Sequence, residues 1–210
     1  MSKSARAVTI DELSGDEYRL LAQFTHGTLI DFVLDYFLRR TSWLTRAHHA
    51  MSIATLAAIV VVAIAQARPP LRCVADFFLA VLALLLAVLP LHELIHAVAY
   101  RITGARDIRW GYSWRMAAVW VVAHRFVAGR GAFLFVALAP FVAINALLIA
   151  GTLAFPSLAV PLLFVLLLHL HGCAGDWSLV NFVWLHRGAE LWTYDDADSG
   201  TSHFYCEIEN

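Results

Sequence analysis

From Gly131 to Gly175 the chain carries no Asp, Glu, Lys or Arg. Such a run is too long for one helix across a hydrocarbon layer of about 30 Å and right for two. Phe155-Pro156-Ser157 and Pro161 mark the turn between them. A second uncharged run, Ala47 to Ala67, matches another crossing and is stopped by Arg68-Pro69-Pro70. A further apolar segment starts near Asp76, passes through Phe77 to Pro90 and ends near Arg101. The sequence therefore predicts an all-α membrane protein with about four transmembrane helices, at 47–67, 76–100, 131–154 and 160–185. Composition agrees. Of 210 residues, 60% are hydrophobic and 15% charged, and the mean hydropathy of +0.69 lies outside the range of ordinary soluble domains.

Inside the second of these segments sits His92-Glu93-Leu94-Ile95-His96, the H-E-x-x-H pattern. On a helix, residues four apart share a face, so His92 and His96 point the same way and can grip one metal ion with Glu93 beside it. This is the layout of a zinc hydrolase, in which the metal acidifies a water and the neighbouring carboxylate takes its proton. Imidazoles and a carboxylate at membrane depth are costly, and such groups mark an interior or a wet cavity. The bland alternative is a polar cluster that holds helices together by hydrogen bonds.

Hydrolytic zinc sites usually have three protein ligands and one open position. Asp176 is the only acidic residue of the fourth segment. It stands 15 residues beyond Pro161 and His92 stands 16 beyond Asp76. At 1.5 Å per residue both lie about 23 Å from the external face. Gly172 and Gly175 would let a helix or the metal approach the backbone closely. His169, Cys173 and Asp176 share a helical face, whereas His171 points elsewhere. His169 is a second catalytic candidate: it could bond the developing oxyanion, orient Asp176, or replace it as ligand. Asn145 and Asn181 read as helix-packing hydrogen bonds.

The remaining segments bound topology and partners. Residues 1–46 are predicted to form a cytoplasmic amphipathic segment: Thr9 to Glu12 and Ser14 to Glu17 fit capping boxes, and Leu20, Leu21, Phe24, Leu29, Val33, Tyr36 and Phe37 give a helical apolar face. Between the second and third spans, Ile108-Arg109-Trp110 and Val119 to Val122 are β-prone around Gly111-Tyr112-Ser113, which predicts a short hairpin with Trp110, Tyr112, Trp114 and Trp120 at the membrane interface. Its edge could add a strand from an unfolded substrate. Of the 15 Lys and Arg, only Arg68 and Arg72 fall on one side of the spans, so both termini are expected in the cytoplasm. Residues 47–186 form the four-span domain, and residues 187–210 read as a solvated acidic tail, with Glu190 a distant candidate ligand. No cleaved signal peptide is expected, because the polar N-terminus lacks an apolar core. Cys73, Cys173 and Cys206 show no metal or disulfide spacing, and no basic stripe points to nucleic acid.

His92-Glu93-Leu94-Ile95-His96-Ala97, the Gly104 loop, Ala139-Pro140-Phe141 and Gly175-Asp176 resemble the bacterial zincin peptidases of membrane type, over roughly residues 75 to 200. That family is in turn similar to the site-2 intramembrane metalloproteases, although here Gly precedes the Asp and Trp follows it, and the Asn-x-x-Pro segment is missing. The resemblance implies one Zn²⁺ per chain held by His92, His96 and Asp176, with Glu93 as general base, in a multi-pass protein of the bacterial inner membrane. The expected activity is hydrolysis of peptide bonds in or beside the bilayer, on a membrane-protein or peptide substrate. The competing expectation is a non-catalytic scaffold or sensor, or a bundle that binds metal or haem through His92 and His169.

Overall fold

The computed structural model describes residues 8–113 and 118–208. The chain is mostly helical. Helix α1 (Trp43–Ala65) is started by Ser42, whose hydroxyl accepts from the Leu44 N–H. Helix α2 (Pro70–Ile102) is a single apolar run of 33 residues, longer than the predicted span. Pro70 suits a first helical turn, and Asp76, expected at the helix start, lies inside it, buried against Arg68 and Arg72. A π-helical turn, Leu84–Val88, precedes Pro90. Proline cannot donate to the carbonyl four residues back, and the wider turn absorbs that loss just before the H-E-x-x-H residues. Gly104, with φ of +104°, turns the chain out of α2.

Strands β2 (Ile108–Ser113) and β3 (Ala118–Ala123) form the antiparallel hairpin that the sequence predicts. Gly111 faces Trp120 across it, and a Cβ there would overlap the indole. Trp110 and Tyr112 are exposed, and Trp114 lies outside the described residues. After the short strand β4 (Ala128–Gly129), helix α3 (Arg130–Ala154) makes the third span, with Pro140 inside it.

The fourth span is broken. Helices α4 (Ala159–Gly172) and α5 (Ala174–Leu185) meet at Cys173, and the apolar pair is bent by 49°. α4 is the central helix, packed on α1, α2 and α3 through Ile59, Ala80, Ile144, Leu148, Leu163 and Leu166. Three helices are thus long and apolar enough to cross a membrane, and four if the bent pair counts as one span.

The expectation of an all-α chain fails at both ends. The Thr9–Glu12 capping box does start a helix, the single turn Ile10–Leu13, but Tyr18–Thr25 is strand β1, and helix returns in short turns from His26 to Arg39. The apolar positions of this stretch fit either period, and pairing with a distant strand decides the outcome. That partner comes from the tail, where β5 (Leu191–Asp196) and β6 (Thr201–Glu207) form a hairpin in place of a solvated segment. The antiparallel order is β1-β6-β5-β4. Alternation puts Leu191, Thr193, Asp195, Ser202, Phe204 and Cys206 on the inward face. Phe204 packs there on Phe24, Phe133 and Phe182.

Candidate metal centre

His92 and His96 are both buried on one face of α2, and the break after α4 brings Asp176 to them in the first turn of α5. A carboxylate suits that position, where unpaired backbone N–H groups leave partial positive charge. His92 Nε2 stands 3.1 Å from His96 Nε2 and 3.1 Å from Asp176 Oδ2, and His96 Nε2 stands 3.4 Å from Asp176 Oδ1. Ligands bonded to zinc at about 2.0–2.1 Å in a tetrahedron lie about 3.4 Å apart, so the spacing of the three atoms fits that ion.

The second nitrogen of each ring decides whether Nε2 offers a lone pair. His96 Nδ1–H donates to the Val136 carbonyl at 3.0 Å. That carbonyl is available because its helical donor would be residue 140, a proline. His92 Nδ1 is 3.1 Å from His169 Nε2, and His169 Nδ1 is 2.8 Å from Asn145 Oδ1. The Asn145 oxygen can only accept, so the protons run in one direction: His169 Nδ1–H to Asn145, and His92 Nδ1–H to His169 Nε2. Both histidines therefore carry the proton on Nδ1 and turn a free Nε2 toward Asp176, the tautomer that metal binding would need.

His169 thus stands behind His92, fully buried, with its ring nitrogens committed to Asn145 and His92 rather than to Asp176. His171 is exposed and bonds the Leu167 carbonyl. Direct bonding of His92 to His169 leaves no room for a macrocycle between them, which removes the haem arrangement. Asn181 ties α5 to the N-terminal segment through the Tyr36 and Arg40 carbonyls. Gly172 and Gly175 border open space: a Cβ on either would meet nothing within 4 Å, so close approach is not what they serve. Glu190 is exposed and remote from the cluster.

Two further groups of metal-binding residue types exist among the described residues. In the group His92, His169 and Cys173, the last two are fully buried and do not line the cavity, and the two imidazoles already share a hydrogen bond. His124, Asp196 and Asp198 are tied to Arg125 and Arg109, and the Ala197 N–H donates to His124 Nδ1. Only His92, His96 and Asp176 combine free ligand atoms with an opening.

That opening is a cavity of about 390 Å³, lined also by Glu93, Tyr100 and the β3 residues Val119 to Val122. Glu93 and Val121 face each other across this space. The sheet forms another wall, with Phe24, Asp195, Ser202 and Phe204. Sequence reasoning missed Asp195, the relay through Asn145 and the role of Pro140. The signals were a proline four residues after a span carbonyl, and an Asp in register with Leu191 and Thr193.

No curated protein and no solved structure matches the chain. Residues 85–188, which hold the H-E-x-x-H turn and Asp176 but neither β1 nor the β5–β6 hairpin, match the family model described as "Putative zincin peptidase".

Proposed function

We propose that this protein is an integral-membrane zinc metallopeptidase that hydrolyses peptide bonds within or beside the bilayer. The observation that carries the reading is the convergence of two free imidazole nitrogens and the Asp176 carboxylate on one point of a cavity that Glu93 also lines. Zinc held there supplies a Lewis acid for the carbonyl and a water of lowered pKa.

The protein's own groups supply the rest. Glu93 takes a proton from the attacking water as the new C–O bond forms, and returns it to the leaving nitrogen as the C–N bond breaks. The His124 N–H donates to the Asp107 carbonyl, so by alternation Val119, Val121 and Ala123 turn their backbone groups away from β2. An extended peptide can add to this edge, which places its backbone alongside Glu93. The helices that flank the site favour a substrate in or near the membrane.

Both termini are assigned to the cytoplasmic face of a bacterial inner membrane. The basic residues crowd on that side, with only Arg68 and Arg72 opposite, and the pairing of β1 with β6 requires the two ends of the chain to lie together. Reporter fusions at either terminus should score cytoplasmic and one near Pro69 external.

The test separates binding from chemistry. Replacing His92, His96 or Asp176 by Ala should abolish stoichiometric zinc, whereas Glu93→Gln should keep zinc and lower peptide hydrolysis by about 10²-fold or more. Loss of zinc from Glu93→Gln would make Glu93 a ligand and overturn the peptidase reading.

A further inference from the structure

Three acidic residues crowd the β5–β6 turn, and they are not equivalent. Asp196 faces Arg125 and His124, and Asp198 faces Arg109 and His124. Asp195 has no such cation among the described residues. Its side-chain partner among the described residues is the Ser202 hydroxyl, which donates to Oδ1 at 2.5 Å. Register explains the difference. Asp196 lies on the outward face of β5, whereas Asp195 follows Leu191 and Thr193 on the inward face, at a position where an apolar residue would complete the pattern. Its cross-strand neighbour is Ser202, and the next strand over presents Phe24 opposite Ser202. All three residues line the cavity that holds the metal ligands.

A carboxylate turned inward without a cation is costly to keep ionised, and burial does raise its pKa, to about 6, against the opposing effect of the Ser202 bond. It is still mainly charged at neutral pH. The described lining of the cavity contains no Lys or Arg, and its other two carboxylates, Glu93 and Asp176, already have tasks. Among the described residues, Asp195 is the acidic group of that lining that faces neither a cation nor the histidine pair.

We propose that Asp195, oriented by Ser202, is a substrate-binding subsite for a protonated amine or guanidinium: a Lys or Arg side chain of the peptide, or its free α-amino group. The inference rests on the metallopeptidase reading for the nature of the ligand. The side chain has one oxygen held by Ser202 and the other left for the incoming cation, and the apolar walls around it strengthen a charge-assisted hydrogen bond.

The experiment measures peptide binding, so that it does not depend on turnover. Zinc-loaded full-length protein carrying Glu93→Gln, in detergent, is titrated with fluorescent apolar peptides. The peptides differ only in Lys against norleucine at successive positions, each with a free or an acetylated N-terminus. The proposal expects the cationic member of a pair to bind roughly 10–100-fold tighter, as a hydrogen bond to a charged group gives. A preference that survives acetylation assigns the side chain, and one lost on acetylation assigns the α-amino group. In either case Asp195→Asn should bring the ratio to about one while zinc content stays stoichiometric. Equal binding of Lys and norleucine peptides, free and acetylated, overturns the subsite. So does a preference that Asp195→Asn leaves in place, and so does peptide binding too weak to detect with zinc fully bound. Separately, cation preference in binding together with no hydrolysis by the wild-type protein would leave the subsite standing and overturn the peptidase reading.

Discussion

The helical bundle and the terminal sheet solve opposite problems. The bundle turns its large apolar side chains outward: Ile64, Leu71 and Leu153 are 75%, 81% and 77% exposed, while Thr45, His48, Asp76, His92, Asn145 and His169 are buried. The sheet follows the rule of a water-soluble element, with Leu191 and Phe204 inward and a stack of Tyr194, His203 and Tyr205 outward. Lipid is a good solvent for hydrocarbon, so a bundle in it gains little from burying leucine and can use its interior for hydrogen-bonded polar groups. Those groups are what a metal site needs. The sheet gains in the ordinary way from burying phenylalanine and forms one wall of the cavity.

Because the two regions are stabilised by different means, they should fail separately. The largest expected effect is at Phe204, which packs on three other phenylalanines. Phe204→Ala should destabilise the sheet by about 3–5 kcal/mol. Hydrogen exchange should show β1, β5 and β6 losing protection while α2 to α4 keep theirs and zinc stays bound. Loss of zinc together with the sheet would merge the two regions into one cooperative unit and break the comparison.

Inside the bundle, the next effect concerns the relay behind His92. His169→Leu removes the acceptor for His92 Nδ1–H and frees the ring to adopt the wrong tautomer, so zinc affinity should fall about 10–100-fold. His169→Gln can place its carbonyl oxygen near the lost Nε2 and should recover part of the affinity, which a pure packing role would not predict. Asn145→Leu acts one bond further away and should weaken zinc less. Pro140→Ala should have a smaller effect again. It supplies an N–H that competes for the Val136 carbonyl, and since a carbonyl has two lone pairs, His96 keeps part of its bond. A loss of about 10-fold or less is expected from competitive zinc titration. Unchanged affinity in Pro140→Ala would show that the freed carbonyl does not orient His96.

The contrast also explains what could be read in the sequence. The uncharged runs and the i, i+4 histidines are local signals, so the spans, the H-E-x-x-H face and the hairpin after Gly104 were legible. Asp176 was reached by matching depths along straight helices, yet the structure brings it to His92 through a break at Cys173 that no Pro or charge announces. The terminal sheet is a long-range pairing of Tyr18–Thr25 with Thr201–Glu207. Either segment alone is ambiguous, and acidic composition in the tail concealed an alternating strand. Asp195 looked like one more solvated charge because its register shows only once β5 and β6 are paired.

The smallest expected effect lies where the regions meet, in the pH dependence of the Asp195 subsite. Burial raises this carboxyl to about 6, so a cation on the substrate meets a charged partner above that pH and a neutral acid below it. The Lys-to-norleucine binding ratio, measured with Glu93→Gln protein, should therefore nearly hold from pH 8 to 7, fall to about half its plateau at about pH 6 and to about a tenth one unit lower. Other groups face the same space: Tyr100 from α2, Asp176 from α5 and Ser202 from β6, with His124 at the adjoining end of β3. Ser202 has no titration in this range, and a change at His92, His96 or Asp176 or in zinc occupancy would persist in Asp195→Asn protein, where it can be subtracted. His124 stays in place in Asp195→Asn protein, so a ratio that still falls near pH 6 in that variant would transfer the effect to His124 and remove Asp195 from substrate recognition.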